Sequence, residues 1–108
     1  MKTSPYIFPG IGEEKLTDDE KIKRLIDAFV SRGTPEDFLT NRSRLKCYLW
    51  PRHLIRYLLN VRLGISGMEL MRRGFGDHAT IIHSVNFVLR MKEIKDKEFM
   101  ETFKNFEI

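Results

Sequence analysis

Signals that start and stop helices recur along this chain at short intervals. Between them, no run of alternating polar and apolar residues is long enough to indicate a strand. Capping residues of the Ser, Thr and Asp type provide the starts, and glycines provide most of the stops. This pattern predicts a series of short helices without a sheet, so we expect an all-α fold.

Six helices are predicted from these signals. Thr17 with Glu20 and Ser66 with Glu69 have the spacing of capping boxes, and Pro51 is expected to open its helix or to lie in the first turn. The predicted limits are Thr17 to Gly33, Thr34–Pro35 to a basic connector at 41–47, Pro51 to Gly64, Ser66 to Gly74, Asp77 to about Met91, and Asp96 onward.

Length and composition bound the number of domains and the class of protein. A chain of 108 residues can bury one modest core, so we expect an extended arm over residues 1–16 and a single helical domain over residues 17–108. Apolar residues at 42% and charged residues at 31% are typical of a soluble globular protein. No apolar stretch suits a membrane span or a signal peptide, which predicts a cytoplasmic protein without a membrane partner.

Several side chains are expected in the core. Cys47 is the single cysteine, and without a second thiol it is predicted to act as a small apolar core residue. Trp50, just before a helix start, is expected to pack on the core. The last helix carries an apolar stripe that is expected to pack against the body, comprising Phe99, Met100, Phe103 and Phe106.

Positive charge is concentrated in the middle of the chain. Residues 42–92 hold ten lysines and arginines against two acidic residues, whereas acidic residues outnumber basic ones in both flanking segments. A basic centre between acidic ends indicates a surface that binds a polyanion such as nucleic acid. An ordinary solvated helical surface is the alternative, and charge alone does not distinguish the two.

The helices predicted on either side of the turn at Gly74 have the lengths of a helix-turn-helix. At 100° per residue, the second helix divides into two faces. The face expected to be buried comprises Ile81, Ile82, Val85, Val88 and Leu89. The face expected to be exposed comprises Ala79, Thr80, His83, Asn86, Phe87 and Arg90. Its hydroxyl, imidazole, amide and guanidinium groups suit an approach to base edges and phosphates in a major groove.

Three segments, "WPRHLIRYLL", "SGMEL" and "GDHATIIHSV", occur in that order over about half the chain. Together they resemble the C-terminal DNA-binding domain of the bacterial replication initiator DnaA. The pattern of that family runs PRQ-x-AM-x-L, then S-x-x-E-I, then GGRDHTTV-x-HA. The matched residues are Pro51, Arg52, Leu58, Ser66, Glu69, Gly76, Asp77, His78, Thr80, His83 and, by size, Ser84.

The resemblance implies a helix-turn-helix of the Trp-repressor-like type, with extra N- and C-terminal helices and a DNA-binding core at residues 42–92. It implies that base contacts come from the start of the second helix, at His78, Ala79, Thr80 and His83. Arg42 and Arg44, in the basic connector, are expected to reach the minor groove. Together with the basic charge, the resemblance predicts phosphate contacts from Lys46, Arg52, Arg56, Ser66, Arg73 and Arg90.

The chain departs from the family pattern at positions expected to touch DNA. The arginine of GGRDH is missing, because Phe75 and Gly76 precede Asp77, and Ala79 replaces the first threonine. His53 replaces the glutamine of PRQ and is expected at the surface or facing a phosphate. Because a good bidentate base contact contributes about 1 to 3 kcal/mol of discrimination, these changes predict altered site preference.

Catalysis is not expected. Asp77, His78 and His83 are residue types that bind metal ions, but histidines five residues apart share a helix face poorly and no carboxylate cluster lies nearby in sequence. No glycine-rich phosphate loop is found, so ATP-driven strand opening is excluded. We expect neither a catalytic residue nor a metal or other cofactor, and no enzymatic activity.

Two functions from different classes remain. The first is double-stranded DNA binding by a small regulator or accessory replication factor that lacks ATPase activity, acting alone or as a homodimer. The second is a protein-interaction module on the same fold, without specific DNA recognition, whose partner could be a replication protein. In the second case the segment "SPYIFPGI", an exposed Phe87 and the phenylalanine-rich last helix would form the contact surface.

Overall fold

The computed structural model describes residues 16–106, and within that range it contains helices and turns but no strand. Five α-helices follow one another: α1 (Asp18–Ser31), α2 (Lys46–Tyr57), α3 (Gly67–Arg72), α4 (His78–Glu93) and α5 (Lys97–Thr102). A π-helical turn, Leu58–Arg62, continues α2, and a 3-10 turn, Lys104–Phe106, follows α5. The expected all-α class is confirmed for this part of the chain.

Helix α1 begins and ends as its sequence predicts. Glu20 N donates to the Thr17 hydroxyl (3.2 Å) and Thr17 N donates to Glu20 Oε1 (2.9 Å), so both halves of the capping box are formed. Gly33 follows the C-cap with a φ of +103°. That left-handed backbone is open to glycine at little cost, which explains why the helix stops there.

The short helix predicted at Thr34–Pro35 is wrong. Residues 36–40 form turns, in which Phe38 N donates to Pro35 O (3.1 Å) and Asn41 N donates to Asp37 O (2.8 Å). A segment this short gains too few hydrogen bonds to offset helix nucleation. Burial of Phe38 instead sets its path, because the Phe38 ring stacks on Phe29 at 5.5 Å between centroids.

Helix α2 begins five residues earlier than its proline indicates. Its first residue is Lys46, so Pro51 lies in the second turn rather than the first, and the basic connector is correspondingly shorter. Pro51 leaves the carbonyl of residue 47 without its usual helical donor. Tertiary contacts of the first turns offset this loss: the Trp50 ring packs edge-on against Phe99 at 5.2 Å, and Lys46 Nζ pairs with Glu98 (2.7 Å).

The core lies around α2, which packs against α4 and α1. Aromatic rings from both ends of the described chain meet there, with Phe29 and Phe106 4.6 Å apart and Phe99 and Phe103 5.0 Å apart. The C-terminal phenylalanines and Trp50 are buried, as expected. Cys47 is exposed, so its predicted place in the core is wrong. It lies at the solvent-facing start of α2, a start that its sequence did not indicate.

Two further expectations concern the N-terminal arm and membrane spans. The predicted arm over residues 1–16, including "SPYIFPGI", falls outside the described residues except for Leu16. Among the residues that are described, no helix is both long and apolar enough to cross a membrane.

Candidate nucleic-acid interface

Helices α3 and α4 are joined by a tight turn built on two glycines. Gly74 has a φ of +86° and Gly76 a φ of +115°, both in the region that favours glycine. Phe75 between them is buried and fixes the turn to the core. A Cβ at Gly76 would lie 2.9 Å from Thr80 Cγ2, so a side chain in this turn would require Thr80, in the first turn of α4, to shift.

The two predicted caps flank this turn. Ser66 Oγ accepts from Glu69 N (3.1 Å) at the start of α3. Among the described residues, the reciprocal bond of a full capping box is not found, because the Glu69 carboxylate accepts from Arg72 Nη1 and Arg73 Nε, each at 2.8 Å. Half of this capping box is therefore formed.

Asp77 caps α4, as its sequence predicts. Asp77 Oδ1 accepts from Thr80 N (2.8 Å). Hydrogen bonds from the backbone and then the side chain of Thr80 lower the pKa of Asp77, which keeps the carboxylate ionised at the positive end of the helix. The first turn of α4 is thereby held in one orientation relative to the Gly74–Gly76 turn.

The residues predicted to contact bases lie at the start of α4. His78, Ala79 and His83 are exposed, and Thr80 is half-buried against Gly76. The structure therefore brings three consecutive residues to one exposed helix end, with His83 one turn further along. The His83 ring lies 5.3 Å from that of His53. Their contacts with bases stay predictions.

The predicted division of α4 into two faces is wrong at three positions. Ile82 and Leu89 are each 45% exposed, whereas Phe87 is half-buried, with its ring 4.5 Å from His53 and 6.1 Å from Phe99. Helix α4 packs against α2 on one side and α5 on another, so α5 covers Phe87. The stripe that is buried comprises Ile81, Ser84, Val88 and Met91.

Ser84 can be buried because two polar side chains of α2 reach it. Its Oγ lies 2.8 Å from His53 Nδ1 and accepts from Arg56 Nη1 at 2.9 Å. We call these three residues the His53–Ser84–Arg56 cluster. His53 is only 7% exposed, so the expectation that it lies at the surface is wrong. Burial first, and then the positive charge of Arg56, lower the pKa of His53 to about 4, which makes the ring neutral at pH 7.

Arg56 links this cluster to the turn before α4. Its Nε donates to Phe75 O (2.7 Å), while Nη1 donates to Ser84. Burial and the neighbouring charge of Arg52 lower the pKa of Arg56. The sequence predicted a phosphate contact at Arg56 but did not reveal that the side chain also anchors the α3–α4 turn.

Arg52 holds the connector that carries Arg42 and Arg44. Its Nη1 donates to Phe38 O (3.2 Å) and Asn41 O, and its Nη2 donates to Ser43 O (2.7 Å). These three bonds tie residues 38–43 to α2. The predicted phosphate contact of Arg52 would have to use the donors that remain.

Lys46 and Arg73, two of the predicted phosphate contacts, are paired with acidic residues. Lys46 pairs with Glu98 (2.7 Å), and Arg73 pairs with Glu69 (2.8 Å) and Asp19. The side-chain hydrogen bonds with Asp19 and Glu69 raise the pKa of Arg73. A phosphate at either cation would have to displace a carboxylate.

Three other predicted cations, Arg42, Arg44 and Arg90, are exposed, and within residues 16–106 none of them has a carboxylate within ion-pair distance. Arg42 lines an open cleft of about 500 Å³ with Arg52 and Arg56. Ser66, the remaining predicted phosphate contact, is exposed, but its hydroxyl is engaged in the α3 cap.

No group of three or more His, Cys, Asp and Glu side chains that could hold a metal ion is found in the described range. Asp77, His78 and His83 are therefore not assembled as a ligand set.

Comparison with known proteins adds no family: no protein-family model, curated protein or solved structure matches the chain.

Proposed function

We propose that the chain binds double-stranded DNA through α3, the glycine turn and α4, as a small regulator or accessory replication factor without ATPase activity. One observation carries the proposal. Arg56, which lines the cleft of Arg42, donates to Phe75 O in the turn that begins α4. Arg42 of the connector thus lines the same cleft as the side chain that holds the turn before α4, an arrangement that suits simultaneous contact with backbone and bases.

In this proposal α4 enters the major groove by its first turn. His78 and Thr80 contact base edges, with Ala79 small enough to allow close approach and His83 further along the helix. Arg42 and Arg44 reach the adjacent minor groove from the connector. The cations that have no carboxylate partner bind phosphates without first breaking an ion pair, which favours them over Lys46 and Arg73.

The proposal is tested by selecting duplexes from a random pool and measuring binding of the enriched sequence across a salt series. We expect one enriched motif and an affinity that falls steeply with salt. Arg44→Ala should weaken binding to all sequences, whereas His78→Ala should relax the choice of sequence. Lys104→Gln, at an exposed cation paired with Glu101, is the matched control and should change neither property. A pool that remains random, together with no salt-dependent binding, would contradict the proposal.

A protein-interaction module is the second candidate, and exposed apolar side chains favour it. Ile82 and Leu89, seven residues apart on one face of α4, are each 45% exposed, and Met68 on α3 is 71% exposed. Exposed apolar groups that share a helix face, as Ile82 and Leu89 do, are typical of contact surfaces. The phenylalanines of α5 do not contribute to such a surface, because Phe99 and Phe103 are buried.

A second copy of this chain is the partner that can be tested directly. Sedimentation equilibrium should show dimers for the unmodified chain and monomers for Leu89→Glu, while Glu93→Gln, at an exposed polar residue of α4, serves as the control. A monomer at every concentration would exclude self-association through this face. If the duplex selection also fails, the interaction module with another protein becomes the favoured function.

A further inference from the structure

We propose that Arg56, with Arg52 and Arg42 beside it, forms a binding site for one phosphate group in the cleft between the connector and α2. This site is a specific part of the DNA-binding surface in the proposed function. The inference rests on that function, in which DNA supplies the phosphate. The side chains that line the cleft are Leu39, Thr40, Asn41, Arg42, Arg52 and Arg56.

All of the charged side chains that line the cleft are positive. Three of its six lining side chains are guanidinium groups and none is a carboxylate. Asp37, in the preceding turn, accepts from Asn41 Nδ2 (3.1 Å) and is not among the lining residues. Two arginines held near each other without an acidic partner repel one another, and a bound anion would relieve that repulsion.

The guanidinium of Arg56 is fixed by two of its nitrogens, and the third, Nη2, is left for a ligand. Nε is held by Phe75 O and Nη1 by Ser84 Oγ. Within the described residues, Nη2 has no protein acceptor, and no fully buried side-chain nitrogen or oxygen lacks a partner. Nη2 therefore reaches solvent. A guanidinium that is already oriented loses little conformational entropy when it binds a phosphate oxygen.

The Arg56 guanidinium lies beside the turn that precedes α4. Arg56 Nε lies 3.7 Å from the point where a Cβ of Gly76 would be. Gly76 directly precedes Asp77, the place where the resembled pattern has its arginine and where a side chain in this chain would collide with Thr80. Arg56, which stands where that pattern has Met, thus presents a cation from α2 beside the turn that lacks one of its own.

Substitution of Arg56 itself would disturb the buried cluster, so the test adds charge to the cleft instead. Thr40 is exposed, and Thr40→Glu places a carboxylate on the cleft wall without altering the core. Two probes are used with the full chain: inorganic pyrophosphate, followed by side-chain NMR of the arginine Nε–H groups, and a short duplex, followed by fluorescence anisotropy over a salt series. Thr40→Gln and Lys104→Gln are the controls.

Pyrophosphate should shift the Arg56 Nε–H resonance in the unmodified chain and in both controls, but not in Thr40→Glu. Duplex affinity at low salt should fall about tenfold in Thr40→Glu, with the salt slope reduced by about one, as for the loss of one phosphate contact. Pyrophosphate binding that depends on residue 40, without any duplex binding, would support the subsite and overturn the proposed function. Duplex and pyrophosphate responses that are identical in Thr40→Glu and Thr40→Gln, or absent throughout, would overturn the subsite.

Discussion

His53 Nδ1 and Ser84 Oγ lie 2.8 Å apart in the core and join α2 to α4 by a buried polar contact. A guanidinium only donates, so the Ser84 hydroxyl accepts from Arg56 and its own hydrogen is available to the neutral ring of His53. One hydroxyl thus satisfies two side chains of the facing helix. Through Arg56 the same contact extends to Phe75 O, so the packing of α2 on α4 and the turn before α4 depend on one another.

Replacing Ser84 by Ala should destabilise the protein by about 1 to 3 kcal/mol, because His53 and Arg56 would each lose a partner at a buried site. The free energy of unfolding is measured by urea denaturation. Ser31→Ala is the matched control, since Ser31 is exposed and bonds only its own helix, and it should change stability by less than about 0.5 kcal/mol. Equal losses for the two variants would contradict a structural role for the cluster.

Stability should fall in acid because of His53. Its pKa is about 4 in the folded protein and near 6.5 when unfolded, so between these values the unfolded chain binds a proton that the folded protein does not. The contribution of neutral His53 is complete above pH 6.5 and is lost as the pH falls towards 4. Between pH 7 and pH 4.5 the loss should be on the order of 2 to 3 kcal/mol.

The control for this prediction is His53→Gln, which cannot titrate in that range. Unfolding free energies of both proteins are measured by urea denaturation at pH 7 and pH 4.5, so that acidic groups common to both cancel in the difference. The unmodified chain should lose more stability than the variant. Parallel losses would show that His53 is not kept neutral by its burial.

Much of the fold could be predicted because its signals are local. The caps at Thr17, Ser66, Asp77 and Asp96 each accept from an amide three residues on, so the evidence for each helix start lies within four residues of sequence. The start of α2 lacks a side-chain cap and is stabilised by packing on α5. Its first turn could not be predicted, because the partner Phe99 is distant in sequence.

The candidate site could be predicted less completely, because part of it depends on contacts between residues distant in sequence. The exposed first turn of α4 follows from the cap at Asp77 and the glycines before it. The buried position of Ser84 depends on which face of α4 meets α2, and a polar residue in an apolar stripe does not reveal a buried partner. Helical periodicity predicts that Ile82 and Leu89 are buried, because it assigns α4 a single apolar face. In the structure, α5 also covers Phe87 on another side of the helix.

Phe99→Ala should cost about 3 to 5 kcal/mol, because its side chain is fully buried among the rings of Trp50, Phe87 and Phe103. Ile94→Ala is the matched control: its side chain is 59% exposed, and its loss should have little effect. Both are compared by urea denaturation. A small effect of Phe99→Ala would indicate that α5 is not part of the core, and α5 would then be a candidate surface for contact with a partner.

The two glycines of the turn should respond unequally to alanine. Gly74→Ala introduces backbone strain alone, about 1 to 2 kcal/mol, since its Cβ would meet open space. Gly76→Ala adds a contact of 2.9 Å with Thr80 Cγ2, and the β-branched side chain of Thr80 has few other rotamers in a helix. We expect Gly76→Ala to lose more stability than Gly74→Ala in urea denaturation.

The same pair separates stability from recognition. A shift of Thr80 moves the first turn of α4, where the proposed base contacts lie, so duplex affinity of Gly76→Ala should fall at a temperature at which both variants are folded. Gly74→Ala should bind as the unmodified chain does, because its strain is not transmitted to Thr80. Equal duplex affinities for the two variants would show that the position of Thr80 does not govern binding, and would argue against base contact by this turn.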